Sequence, residues 1–313
     1  MVVLGIAAYY WFVLADRHRH HEYQVQWPAD APRGDPVHVA YGVKAGDVFV
    51  TDLRFESGLV LGFAQGDPMG GMRLDGLMTV AQAVEPAEGG RLRSTVKVYL
   101  ELCDATYAPM KQAVWDLFRD RAHPYTVTFD RDASGRPVLA SVGGALARSE
   151  RRVMLDTLTA GLGDLATSWL PPRDVRLGES WDVAECADVP GILPVVRKVA
   201  GTEGASGFPA GRVKGRVGAE AVEAKEGEEC LRLRIAVYTT MEGEVVPPAR
   251  EGWLTTAGRI QGQIWVSLAT GVVWAMDVTA DLTSSYLVKD KADERMAKQH
   301  VTTKTARATK MPQ

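Results

Sequence analysis

The residue types best able to do chemistry are scattered along this 313-residue chain. His18, His20, His21 and Glu22 form the densest donor set, imidazoles and a carboxylate of the kind that holds a transition metal. They directly follow an uncharged apolar run and have no second shell legible around them, so a solvated flank is the favoured reading and no metal ligand is assigned. The segment Gly66-Asp-Pro-Met-Gly-Gly71 is glycine-rich, but no Lys followed by Ser or Thr comes after it; it reads as a hairpin connection and not as a phosphate cradle. His38, His123 and His300 stand apart from any nucleophile with local support, and no G-x-S-x-G occurs. Asp130 with Asp132, and Asp277 with Asp281, fall at strand-compatible spacing, the usual signature of a wet face or a turn. Cys103, Cys186 and Cys230 form no CxxC. Cys186 and Cys230 could bridge two strands in an oxidising compartment, but three buried, unreactive thiols are the favoured state. These residues support no catalytic assignment and imply no cofactor, so a non-enzymatic protein is expected.

What must position any binding residues is a large core. An apolar content of 46% over this length suffices to build one, as a single long β-rich domain or two smaller ones. The formal charge of -3 and the dispersed arginines lack the basic footprint of a nucleic-acid-binding protein, so no nucleic-acid partner is expected.

Val2 to Ala15 carries no charge. At about 1.5 Å per helical residue it reaches about 21 Å, short of a hydrocarbon core of about 30 Å. Tyr9, Tyr10, Trp11 and Phe12 suit an interfacial aromatic belt, which favours a retained anchor over residues 1–22, with a start upstream of Met1. The alternative is export with cleavage near Ala15, since Val13 and Ala15 obey the small-residue rule. Arg17 and Arg19 follow the run, which by the positive-inside rule pulls the body toward the cytoplasm; with only two charges, an extracytoplasmic body is preferred. Pro28, Pro32 and Pro36 then stiffen a linker over residues 23–37 that cannot hold a helix or a central strand.

From residue 38 to 309 the dominant signal has period two. Val96, Val98, Leu100 and Leu102 alternate with polar neighbours, as do Leu231, Leu233, Ile235 and Val237, then Ile264, Val266 and Leu268, then Met276, Val278, Ala280 and Leu282. Such strands belong to antiparallel sheets covered on one face. Asp132 to Gly135 and Ala269 to Gly271 supply hairpin turns. Two amphipathic helices, near 107–121 and 145–166, interrupt the strands, carrying Met110, Val114, Leu117 and Phe118, then Met154, Leu158, Leu162 and Leu165 at helical spacing. The expected fold is mainly β with inserted α: a large curved antiparallel sheet or incomplete barrel, both helices packed in its concave face, plus an apolar N-terminal helix. Residues 289–313 are basic and polar and are expected to end in an edge strand around Val301, with 310–313 disordered. One internal echo recurs: Val43-Lys-Ala-Gly-Asp-Val-Phe49 and Val175-Arg-Leu-Gly-Glu-Ser-Trp181 each read as a glycine turn entering a strand, by duplication or by coincidence.

A glycine-entered strand, long alternating strands, a helical insertion, the segment LPPRDVRLGESW (Leu170 to Trp181) and the closing QIWVSLATGVVWAMDV follow one another in this order. That order resembles bacterial envelope proteins of the outer-membrane lipoprotein carrier superfamily, whose bent half-barrel is plugged by helices around a hydrophobic cavity. The resemblance implies a lining of Trp115, Phe118, Met154 and Leu158 on the plug, with Val98, Leu100, Leu233 and Ile235 on the sheet. It implies binding of a membrane lipid or a lipidated or other hydrophobic ligand; the retained apolar N-terminus, in which the chain departs from the carriers, is expected to anchor it in a bacterial inner membrane with the body in the periplasm. The alternative is a structural subunit of a cell-envelope assembly that meets protein partners through its sheet edges or wet face.

Overall fold

The computed structural model describes residues 32–63, 68–106, 108, 111–112, 125–131, 137–143, 169–186, 211–245, 252–288 and 294–310. The chain divides into two units, Met1–Asp30 and Ala31–Gln313, and every described residue lies in the second. The expected N-terminal helix, the metal-like cluster at 18–22 and nearly all of both amphipathic helices therefore fall outside the described residues, with only Ala108, Lys111 and Gln112 seen as helical. No helix among the described residues is long and apolar enough to cross a membrane.

Alternation becomes strands, and the strands are long. They are β1 (Arg33–Val37), β2 (Val48–Phe63), β3 (Pro68–Pro86), β4 (Leu92–Ala105), β5 (Tyr125–Arg131), β6 (Pro137–Gly143), β7 (Val175–Leu177), β8 (Ser180–Asp182), β9 (Gly211–Lys225), β10 (Glu228–Val245), β11 (Gly252–Ser267), β12 (Val273–Val288) and β13 (Glu294–Lys310). Eleven of them form one sheet in the order β6-β5-β4-β3-β2-β13-β12-β11-β10-β9-β8, every neighbouring pair antiparallel, while β1 and β7 pair separately. Among the described residues the sheet does not close into a barrel. Pro137 and a bulge blunt the β6 edge, and a capped 3-10 turn at Val183–Glu185 stops β8 after three residues.

Three expectations need correction. The basic tail is no edge strand: β13 is central, bonded to β12 on one side and β2 on the other, and joins the two halves of the sheet. Lys298 and Lys304 fall at wet-face positions of the register, whereas Thr303 and Thr305 fall in the rows of the apolar face. Leu102 does not share the face of Leu100. A bulge at Glu101 shifts the phase, so Leu102 pairs with Leu77 and is 56% exposed while Cys103 is 2% exposed. Finally, β1 begins at Arg33 inside the supposed linker; Pro36 is compatible because β1 has a partner on one side only.

The internal echo is structural. Gly46 (φ 93°) and Gly178 (φ 81°) both take the left-handed conformation. In each turn the following acid caps the backbone: the Lys44 amide donates to Asp47 Oδ2 at 3.0 Å, the Arg176 amide to Glu179 Oε2 at 2.8 Å. Each glycine amide then donates to the neighbouring strand, Gly46 to Val84 O and Gly178 to Ala219 O, and the aromatic two positions after each acid, Phe49 or Trp181, is buried.

The main core lies on one face of β9–β12. Val217, Leu231, Leu233, Ile235, Ile264 and Val266 are closed over by Val39, Leu170, Val175, Trp181 and Val183, so the LPPRDVRLGESW segment serves as a cover for the sheet. Trp181 fits there without an orphan donor, its Nε1 giving a 2.9 Å hydrogen bond to Trp169 O.

Candidate functional site

The apolar face is defined by register. Leu233 pairs with Ile264, Ile264 with Met276, Met276 with Thr305, Thr305 with Leu53, Leu53 with Met78 and Met78 with Leu100. Two residues expected to line a cavity, Leu100 on β4 and Leu233 on β10, therefore share one row across seven strands. Ile235 lies in the next row, opposite Gly262 and in line with Phe55 and Gly76. Val98 pairs with Val80. At the β10 end this wall is filled: Leu233 and Ile235 are fully buried against the core just described. Trp115, Phe118, Met154 and Leu158 lie outside the described residues.

Two glycines on this face take backbone conformations that residues with a side chain rarely adopt. Gly262 (φ 153°) and Gly215 (φ 140°) adopt conformations that disfavour any side chain, and a Cβ at Gly262 would meet Asp277 O at 2.1 Å, one at Gly215 Ala236 O at 2.4 Å. Both positions lie on the apolar face, where glycine kinks curve a sheet.

The opposite face carries the polar chemistry, and two bulges build it. Between Arg232 and Leu233 the register with β9 slips, so Glu220 is the extra residue; between Trp265 and Val266 the register with β12 slips, so Trp274 is extra. Glu220 accepts from Arg232 Nε (3.2 Å), Arg234 Nε (2.7 Å) and Gln263 Nε2 (3.2 Å). Glu223 accepts from Arg232 Nη1 (3.0 Å) and Trp265 Nε1 (2.7 Å), and Lys225 Nζ stands 4.3 Å from the Trp265 ring centroid. Trp274 packs with Cys230, Trp265 and Ala275 in a small second core, its Nε1 without a hydrogen-bond partner. The phase slips at Ala219-Glu-Ala-Val222 and Val273-Trp-Ala-Met276 were visible in the sequence as breaks in alternation. They are the signal the sequence reading missed.

This lattice holds charges in place; it offers no acid–base pair. Each carboxylate is already engaged by arginine or indole donors. Asp281 bonds Arg259 (3.2 Å), and His38 bonds Asp174 (2.9 Å) at the surface. Ser267 is buried and donates to Glu228 Oε1 at 2.6 Å, bracing the β11–β12 hairpin with Thr270. The three cysteines are buried and form no disulfide with one another. Burial, helped by Glu228 and Glu223, pushes the Cys230 thiol up to about 12, and burial raises Cys103 despite Lys111. No group of His, Cys, Asp and Glu among the described residues is arranged to hold a metal ion.

No family model and no curated protein matches the chain. Among solved structures, one of lipid–protein interactions in lipovitellin aligns at 10% identity with a TM-score of 0.41, covering 86% of this chain and 26% of that one. The chain thus spans about a quarter of that protein. DynF from the dynemicin biosynthesis pathway of Micromonospora chersina aligns at 9% identity over 90% of both chains, with a TM-score of 0.19. An outer membrane channel from Pseudomonas putida F1 aligns at 9% identity, with a TM-score of 0.21, over 87% of this chain and all of that one. At these scores the likenesses identify no family.

Proposed function

We propose that the protein binds a lipid or other hydrophobic ligand against the apolar, inward-curving face of its open sheet, and that its leading apolar segment tethers the sheet beside a membrane, the body outside the cytoplasm. The observation that carries this reading is the register. Apolar residue types continue along the rows well past the filled end, with Leu53, Met78 and Leu100 opposite one another and Leu59 opposite Met72. A wall of this kind needs an apolar cover. Kinks at Gly215 and Gly262 favour a concave surface, the form that small-ligand sites take.

Native mass spectrometry of the detergent-extracted full chain tests the reading. Lipid retained at fixed stoichiometry is expected. A lipid-free protein that instead carries a stoichiometric protein partner would replace it with the scaffold reading, in which the same fold acts through its edges or wet face.

A further inference from the structure

The wet face of β9–β13 contains a regular patch. Four register rows, uninterrupted by bulges, run from Arg212, Lys214, Arg216 and Gly218 on β9 to Lys298, His300, Thr302 and Lys304 on β13. These twenty positions hold seven Lys or Arg and two acids, Asp277 and Asp281. Counting bulged Glu220, which holds Arg234, the patch stands at 7 − 3 = +4 with His300 neutral, although the whole chain sums to -3. Asp182 on β8 pairs in register with Arg216, and Glu242 lies one row beyond. With strands about 4.8 Å apart and a rise of about 3.4 Å per residue, the patch covers roughly 20 by 20 Å. Its only aromatic is Tyr238, so it has no stacking platform for bases.

We propose that this face docks on an anionic lipid surface. Charge complementarity selects the partner: Lys214 and Arg216 are exposed, and a broad cationic grid on an open sheet face matches a layer of acidic headgroups better than a groove-shaped ligand. Lys214 lies where β9 runs past the end of β8, so the bland role of a lysine guarding an open sheet edge covers it, but not the charges of β10, β11 and β13, which are interior to the sheet. The proposal rests on the membrane-side location proposed above but not on a ligand in the concave face.

The test is vesicle flotation of the full chain with neutral phosphatidylcholine and with phosphatidylcholine containing phosphatidylglycerol, at low and high salt. The apolar leading segment contributes to both vesicles, so the ratio of the two partition coefficients is the readout. A ratio of roughly a hundredfold or more at low salt, collapsing at high salt, is expected. Lys214→Gln with Arg216→Gln lowers it by roughly fivefold per charge, whereas Arg216→Lys preserves it. A ratio near one, or an unchanged ratio in a double variant whose circular dichroism matches the parent, overturns the proposal. So does tighter binding to duplex DNA than to the anionic vesicles. Loss of co-purified lipid with an intact ratio would overturn only the ligand reading.

Discussion

Leu100 and Leu233 lie in one cross-strand row although 132 residues separate them in sequence, joined through Met78, Leu53, Thr305, Met276 and Ile264. The row makes the apolar face a single surface, filled at one end by the cover segment around Trp181 and proposed as a ligand wall at the other.

The two ends should respond differently. Leu233→Ala removes a fully buried side chain and should cost about 2–5 kcal/mol, read as a lowered urea midpoint. Leu100→Ala should lower retained lipid in native mass spectra more than it lowers that midpoint. Equal retention of lipid by the parent and L100A proteins would count against the wall.

Gly46 and Gly178 should prove interchangeable in their energetics. Each takes positive φ in a turn of the same construction, so Gly46→Ala and Gly178→Ala should each cost about 1–2 kcal/mol, additively in the double variant. Gly262→Ala should be far worse, because its Cβ has no room beside Asp277 O. Thermal denaturation of the four variants checks both statements.

The bulged Glu220 holds two arginines and a glutamine. Glu220→Gln should destabilise by about 1–2 kcal/mol at low salt, the loss shrinking as salt screens the half-exposed cations left behind. Urea unfolding at two ionic strengths measures it.

Cys230 gives a pH dependence with a definite sign. Its thiol is raised from 9.0 to about 12 in the folded chain, first by burial and then by Glu228 and Glu223. The folded state therefore keeps its proton where the unfolded chain has lost it, so this contribution is complete below about pH 9 and disappears as the pH climbs toward 12. A thiol reagent should label Cys230 in urea and spare it in the native protein at pH 8. Cys230→Ser should flatten the alkaline decline in stability.

Local chemistry in the sequence determined much of this. Period-two alternation sets strands with one apolar and one wet face, and the hairpin turn at Ala269–Gly271, together with the two glycine turns, follows from residues that tolerate those conformations. Only the tertiary structure decided that the threonine-rich tail sits between β12 and β2, since each of its strand bonds joins residues distant in sequence and no side-chain pattern names the partner. It also decided that the breaks in alternation become bulges and not strand ends. At Glu101, Glu220 and Trp274 one extra residue turns the following side chains over, and the price of that local irregularity is met by contacts across the sheet that the linear chain does not display.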